Sequence, residues 1–363
     1  MKPKICLYLR DDLADVYAFA NLYEFLIKND FQAEFRTNSI NVHFGNLRDC
    51  LNTVVNESSN GLVSPIKEFE LCDADEWSGL VLKGYCDVLS SMDLLSNQDI
   101  AIDHSILKNC AKPISEQKRI SLRQKYGIPN DESVAVIGFP SNIASDEVHC
   151  ALDEVVDAFY REVRFYAVGS INMRYAETMQ NKHSINFVEK FGVLKDYYAL
   201  ADVVITNSNI CQYSPMNMHN FVEATAGGPL FLINPEKVGQ YGYKELKDLG
   251  VIRESINTQE LISGMRDYLQ SPDGENIRAL RAQHLEKSRE LYLPDLMRVF
   301  NRVLGLSEEP FESDLLVEIV RPNCLTALRI VHPDTFWEFS LPTNRAPLKE
   351  APESWFKRVR GGE

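Results

Sequence analysis

A chain of 363 residues is longer than one hydrophobic core usually spans, and 45% apolar with 25% charged residues is the composition of a folded protein rather than a disordered one. A net charge of −14 without a basic stripe argues against nucleic acid or an anionic membrane surface as partner, and no apolar run approaches the roughly 20 residues that cross a bilayer. The eight cysteines are dispersed without a C-x-x-C pair, so neither a zinc site nor a disulfide framework is indicated, and free thiols in a cytoplasmic protein are expected.

The N-terminus has no apolar signal-peptide region and reads as a first strand, Ile5-Cys-Leu-Tyr-Leu9, ending in Arg10-Asp11-Asp12. An amphipathic helix follows, with Val16, Phe19, Leu22, Phe25 and Leu26 at spacings of three and four. Residues 31–36 alternate as a second strand, and the best of the weaker later candidates is Asp99-Ile-Ala-Ile-Asp103. Residues 1–112 therefore read as a small open α/β domain, closed by a polar linker that begins at Lys112-Pro113.

The next stretch is cleaner. A helix from Arg119 to Tyr126 stops at Gly127-Ile-Pro129, and buried-strand patterns follow at 134–138, 164–168, 185–188, 203–206 and 229–233. Between them lie helices through about Tyr160, around Met173 to Met179, from Lys195 to Ala201, and over 221–226. Gly227-Gly228 can supply the positive φ of a helix C-cap. Strands that are apolar throughout, alternating with helices, predict a parallel sheet covered on both faces, within a second domain of residues 113–305. A long helical stretch from Glu275 to Leu304 is interrupted by Pro294. Residues 306–363 read as a β-rich appendage with strands at 315–320 and 335–339, or as the edge of a further domain or partner-binding region.

Ligands of parallel α/β sheets sit beyond the carboxyl ends of the strands, so the loops there are the places to search. Ser141 and Asn142 follow a buried strand, where they either cradle a phosphate or cap the next helix. Asn207 and Ser208 follow Val203–Thr206 and equally suit a simple turn. In Ser214-Pro-Met-Asn-Met-His219-Asn220-Phe-Val-Glu223, His219 and Glu223 stand four apart on one helical face with Asn220 beside them. A carboxylate there can accept hydrogen bonds from vicinal ribose hydroxyls; the bland alternative is a capped helix with an exposed His and Glu. The paired aromatics Tyr197-Tyr198 and Phe336-Trp337 read as core.

The stretch Phe191-Gly-Val-Leu-Lys-Asp-Tyr-Tyr198-Ala-Leu-Ala-Asp202, followed by His219-Asn220-x-x-Glu223-Ala-x-Ala-Gly-Gly-Pro, resembles the C-terminal domain of 3-deoxy-D-manno-octulosonic acid (Kdo) transferases over residues 118–260. The resemblance implies a GT-B fold, with two Rossmann-type domains facing a cleft and a C-terminal helical and β appendage. It implies a CMP-activated sugar as donor substrate, a glycan acceptor, and Asn220 and Glu223 on the nucleotide. No cofactor and no metal is implied. This chain departs from the family pattern in its glycine loops, here Asn207-Ser208 and Met216-Asn217-Met218. It departs again where the family has Pro-Arg-His, here Val168-Gly169-Ser170, with Arg174 as a substitute cation. A Gly-Glu carrying the acceptor-side base is missing from the first domain.

In such a fold the loop Arg10-Asp11-Asp12 would open toward the acceptor. Asp11 or Asp12 is then the candidate general base, unless it only caps the helix that follows. Asp103-His104 is a second candidate. The reading is a glycosyltransferase, with a nucleotide-sugar epimerase or a non-catalytic GT-B binding module as alternatives.

Overall fold

The computed structural model describes residues 4–8, 13–36, 80–85, 99–138, 146–168, 184–188, 193–206, 221–233, 240–270, 273–307, 312–320, 327–334 and 344–350. The chain divides into two units. One comprises Met1–Lys112, Gly239–Tyr241 and Leu285–Glu363, and the other comprises Pro113–Val238 and Gly242–His284.

The second unit is built on β5 (Ser133–Gly138), β6 (Val163–Val168), β7 (Ile185–Val188), β8 (Val203–Thr206), β9 (Leu230–Ile233) and β10 (Ile252–Ser255). All pairings are parallel, and the spatial order is β7-β6-β5-β8-β9-β10. Consecutive residues of β5, Val134 to Ile137, are all buried, which requires cover on both faces of the sheet. Helices α3 (Glu116–Lys125) and α5 (Leu194–Leu200) pack together, as do α4 (Asp146–Phe159) and α8 (Thr258–Gln270). The strand order runs outward in both directions from β5 and β8, the reversal at which doubly wound sheets open a crevice beyond their carboxyl ends. Gly138 is in register with Thr206 at that edge, and Thr206 with Leu232. The carboxyl ends of β5 and β8 therefore lie on either side of the reversal.

The first unit has a seven-stranded sheet. Strands β1 (Lys4–Tyr8), β2 (Gln32–Arg36), β3 (Leu80–Tyr85) and β4 (Asp99–Asp103) are parallel in the order β2-β1-β3-β4. The sheet then continues through strands from the far end of the chain. β12 (Ala327–Val331) pairs parallel with β4, β11 (Leu316–Val320) antiparallel with β12, and β13 (Asn344–Pro347) antiparallel with β11. The last fifty residues, read from sequence as a separate appendage, thus carry strands of the first sheet. Val317 and Ile330 share one core with Phe19, Leu22 and Leu26 of α1 (Leu13–Lys28). The physical reason is edge pairing: β4 presents a free edge, and β12 satisfies it.

The short helices α2 (His104–Asn109), α6 (Phe221–Ala224) and α7 (Tyr243–Asp248) complete the set with α9 (Gly274–Val303). Helix α9 is continuous through Pro294, contrary to the interruption expected there. A helical proline removes one hydrogen bond to the carbonyl four residues back. That carbonyl belongs to Glu290, an exposed position open to water, while Leu293, Leu296, Val299 and Phe300 bury the flanking turns.

A polar cluster lies in the first unit. Tyr241 stacks on His332 at 3.8 Å between ring centroids and shares a 2.8 Å hydrogen bond with the Ser288 hydroxyl. The Asp334 N–H donates to His332 Nδ1 at 3.1 Å. Nε2 of the neutral ring therefore carries the proton and donates to the Tyr292 hydroxyl at 2.8 Å. Burial holds this imidazole down at about 4, against the pull of Asp334 and Asp314 in the other direction.

Candidate functional site

Asp11, Asp12, Ser141, Asn142, Arg174, Asn207, Ser208, His219, Asn220 and the pair Phe336-Trp337 lie outside the described residues. Glu223 lies within them, half-buried on α6, and the frame around it is well defined. It rests on three sets of contacts, all inside the second unit.

Asp202 ties the base of that frame. Its Oδ1 accepts from Arg119 Nη2 at 2.5 Å, and its Oδ2 from Arg123 Nη2 at 2.6 Å and from the Val134 N–H at 2.8 Å. The Asp202 N–H in turn donates to the Val134 carbonyl at 2.9 Å, fixing the entry of β8 against that of β5. Arg123 is 1% exposed and also donates to the carbonyls of Leu200 and Glu132, at 3.1 and 2.9 Å. A buried guanidinium survives because its donors are met by a carboxylate and carbonyls. The Ala-Asp element that carries the family resemblance is thus a scaffold element.

Gly227 and Gly228 form the second set. Neither has a positive φ, so the C-cap expected from sequence is not their role. A Cβ at Gly227 would run into the backbone carbonyls of Tyr198, Ala199 and Ala201, and one at Gly228 into the carbonyl of Asp202. Glycine is required because this turn lies directly on the end of α5.

The third set comes from α9. Arg281 Nη2 donates to the Val222 carbonyl at 2.8 Å and Nε to the Thr225 hydroxyl at 3.0 Å. The Thr225 hydroxyl donates to the Val222 carbonyl at 2.9 Å. One turn earlier, Arg278 donates to the Gly227 carbonyl at 3.3 Å and pairs with Glu116 at 3.3 Å. Burial lowers the Arg281 guanidinium to about 10 while the Glu223 carboxylate pulls it back up, so it keeps its charge at neutral pH. Burial, with Glu223 adding to it, pushes the Tyr198 phenol up. Both arginines escaped the sequence reading. The only signal was their three-residue spacing, which puts them on one helical face.

Tyr197 and Tyr198 are both buried. Tyr197 packs against Tyr126 and Tyr166 with centroids 4.7 and 5.2 Å apart. Asp103 is buried and caps α2 by accepting from the Ser105 N–H at 2.8 Å, while His104 is buried with an edge contact to Phe19. These positions give the Asp103-His104 pair a place in the core of the first unit. Among the described residues no group of three or more His, Cys, Asp or Glu is placed to hold a metal, and no helix is long and apolar enough to cross a membrane. What the arrangement offers chemically is a half-buried carboxylate on a turn held from two sides, in the connection between β8 and β9 of a doubly wound sheet.

No protein-family model matches the chain, and no curated protein matches it. Solved structures do. A Listeria monocytogenes protein described as a UDP-N-acetylglucosamine 2-epimerase is 11% identical, covering 83% of this chain and 97% of its own, with a TM-score of 0.53. S. aureus MnaA, in a co-structure with UDP, is 11% identical over 85% of this chain and 98% of its own, also at 0.53. The C-terminal CMP-Kdo binding domain of WaaA from Acinetobacter baumannii is 16% identical over 47% of this chain and 96% of its own, with a TM-score of 0.36. With the parallel sheet of the second unit and the largely parallel sheet of the first, the likenesses at 0.53 show the fold: two Rossmann-type α/β units of the GT-B kind.

Proposed function

We propose that the chain is a glycosyltransferase that takes its sugar from a nucleotide-activated donor, of the CMP-Kdo type, and passes it to a glycan acceptor. The observation that carries this reading is the Glu223 turn, which lies on the connection between β8 and β9 and is held by Arg281 and by the Gly227-Gly228 seat against residues 198–202. In the proposed reaction the Glu223 carboxylate accepts from the donor ribose hydroxyls, with His219 and Asn220 beside it. Ser141, Asn142, Asn207 and Ser208 hold the phosphate. An acceptor hydroxyl attacks the anomeric carbon as the bond to the CMP oxygen breaks. The hydroxyl proton passes to Asp11 or Asp12, and CMP departs with the electron pair.

The second reading is a nucleotide-sugar epimerase. It is favoured by the structural likeness to a protein described as one, and by a UDP-bound structure of the same fold.

A thermal-shift panel of CMP, CMP-Kdo, UDP and UDP-N-acetylglucosamine separates the readings. A ligand at 100 times its Kd adds about 2.7 kcal/mol, or about 5–10 °C for a unit of this size. The expected outcome is a shift with the cytidine compounds that Glu223→Ala cuts to about half. A shift confined to the uridine compounds transfers the case to the epimerase, and no shift with any compound sinks the donor site. Asp11→Asn and Asp12→Asn should keep the shift and at least one should lose transfer; full turnover in both removes them from the mechanism.

A further inference from the structure

We propose that Arg281 is the positioning residue of the donor ribose site, setting how strongly the protein separates a ribonucleotide from one that lacks ribose hydroxyls. The inference rests on the reading of Glu223 given above.

Glu223 stands on the described turn Phe221–Ala224 of α6, and contacts from α9 tie the direction of that turn. The Arg281 guanidinium, 5% exposed, grips acceptors on both sides of Glu223: the Val222 carbonyl before it and the Thr225 hydroxyl after it. A guanidinium is a rigid planar fork, so two bonds from one edge fix an angle as well as a distance. The Thr225 hydroxyl closes the triangle by donating to the same Val222 carbonyl. Arg278 then holds the Gly227 carbonyl one step further along, so turn and exit are gripped from one face of α9.

The charge matters as well as the shape. A buried guanidinium is costly, and an apolar residue would fill its volume more cheaply. Here the nearby carboxylate is that of Glu223, which supports the Arg281 charge electrostatically. The cation therefore holds the turn that carries the carboxylate read as the acceptor of ribose hydroxyls. An acceptor displaced by part of an ångström loses directional hydrogen bonds but leaves phosphate contacts intact. Ribose discrimination is thus the property that Arg281 should govern.

The test uses the full-length chain and isothermal titration with two pairs of probes: CMP and its 2′,3′-dideoxy analogue, and UDP and its 2′,3′-dideoxy analogue. The wild type should prefer the ribonucleotide of whichever pair it binds by about tenfold, the worth of hydrogen bonds to a charged acceptor. Arg281→Met should bring that ratio close to one while leaving affinity for the dideoxy analogue within about twofold, the same pattern as Glu223→Ala. Arg281→Lys, which keeps the charge without the fork, and Thr225→Val, which removes one acceptor, should give intermediate ratios. A wild-type ratio in folded Arg281→Met overturns the inference and leaves the donor site standing. Where that variant does not fold, wild-type ratios in both Arg281→Lys and Thr225→Val overturn it equally. Absence of any nucleotide binding or ribose preference in the wild type overturns the reading of Glu223 itself, and this inference with it.

Discussion

The two sheets recruit their strands differently. The six described strands of the second unit come from residues 133–255, every pairing parallel, and are fastened by a charged lock of Asp202, Arg119 and Arg123. Among the described residues the first takes four strands from residues 4–103 and three from 316–347, one of them, β11, antiparallel to the rest, and buries a largely neutral polar cluster around His332. One unit is held by ion pairs within a nearly continuous stretch. The other depends on segments more than two hundred residues apart and on keeping a histidine uncharged.

That contrast can be broken most forcefully by ending the chain at Leu306. Loss of Val317 and Ile330 from the core, and of β12 from the edge of β4, should cost the first unit about 5 kcal/mol or more, comparable to its whole stability. Amide hydrogen exchange should show protection lost in β1–β4 and kept in β5–β10. Unchanged protection in β1–β4 would mean the late strands are dispensable.

Asp202→Ala reverses the pattern, leaving the buried Arg123 without its counter-ion at a cost of about 3–5 kcal/mol to the second unit. Denaturant unfolding followed by exchange should place the loss in β5 and β8. A change below about 1 kcal/mol would show the lock to be ornamental.

The smallest effect belongs to His332. Its folded value of about 4 lies below the ordinary 6.5, so acid favours proton uptake by the unfolded chain. The stabilisation is complete above about 6.5 and is lost as pH falls toward 4. Allowing for solvent screening, the first unit should lose about 1–2 kcal/mol between pH 7 and 5, and His332→Asn should flatten that slope. An identical slope in the variant would assign the titration elsewhere.

The same contrast explains what the sequence reveals. Residues Val134–Ile137 of β5 and Leu230–Leu232 of β9 are buried on both faces, so their apolar runs announce them. β3 is broken by Lys83 and Gly84, and edge strand β13 reads Asn-Arg-Ala-Pro with no apolar pattern at all. Its place is set by pairing with β11, which no local window contains. At the candidate site Glu223 is legible because the spacing of the motif puts it on a helix. Arg281 is not, because an arginine in a long charged helix carries no local mark of burial. Gly227-Gly228 is legible as a requirement for glycine but not in its cause, which is the backbone of residues 198–202 pressed against it.

The path of the chain also orders events in time. A ribosome releases residues in sequence, and the second sheet has its six described strands by Ser255 and its Arg281 grip before Leu285. The first sheet, begun earliest, still waits for β12 to cover its edge. During synthesis the unit that starts first finishes last, and its nascent strands β1–β4 are those exposed longest to mispairing.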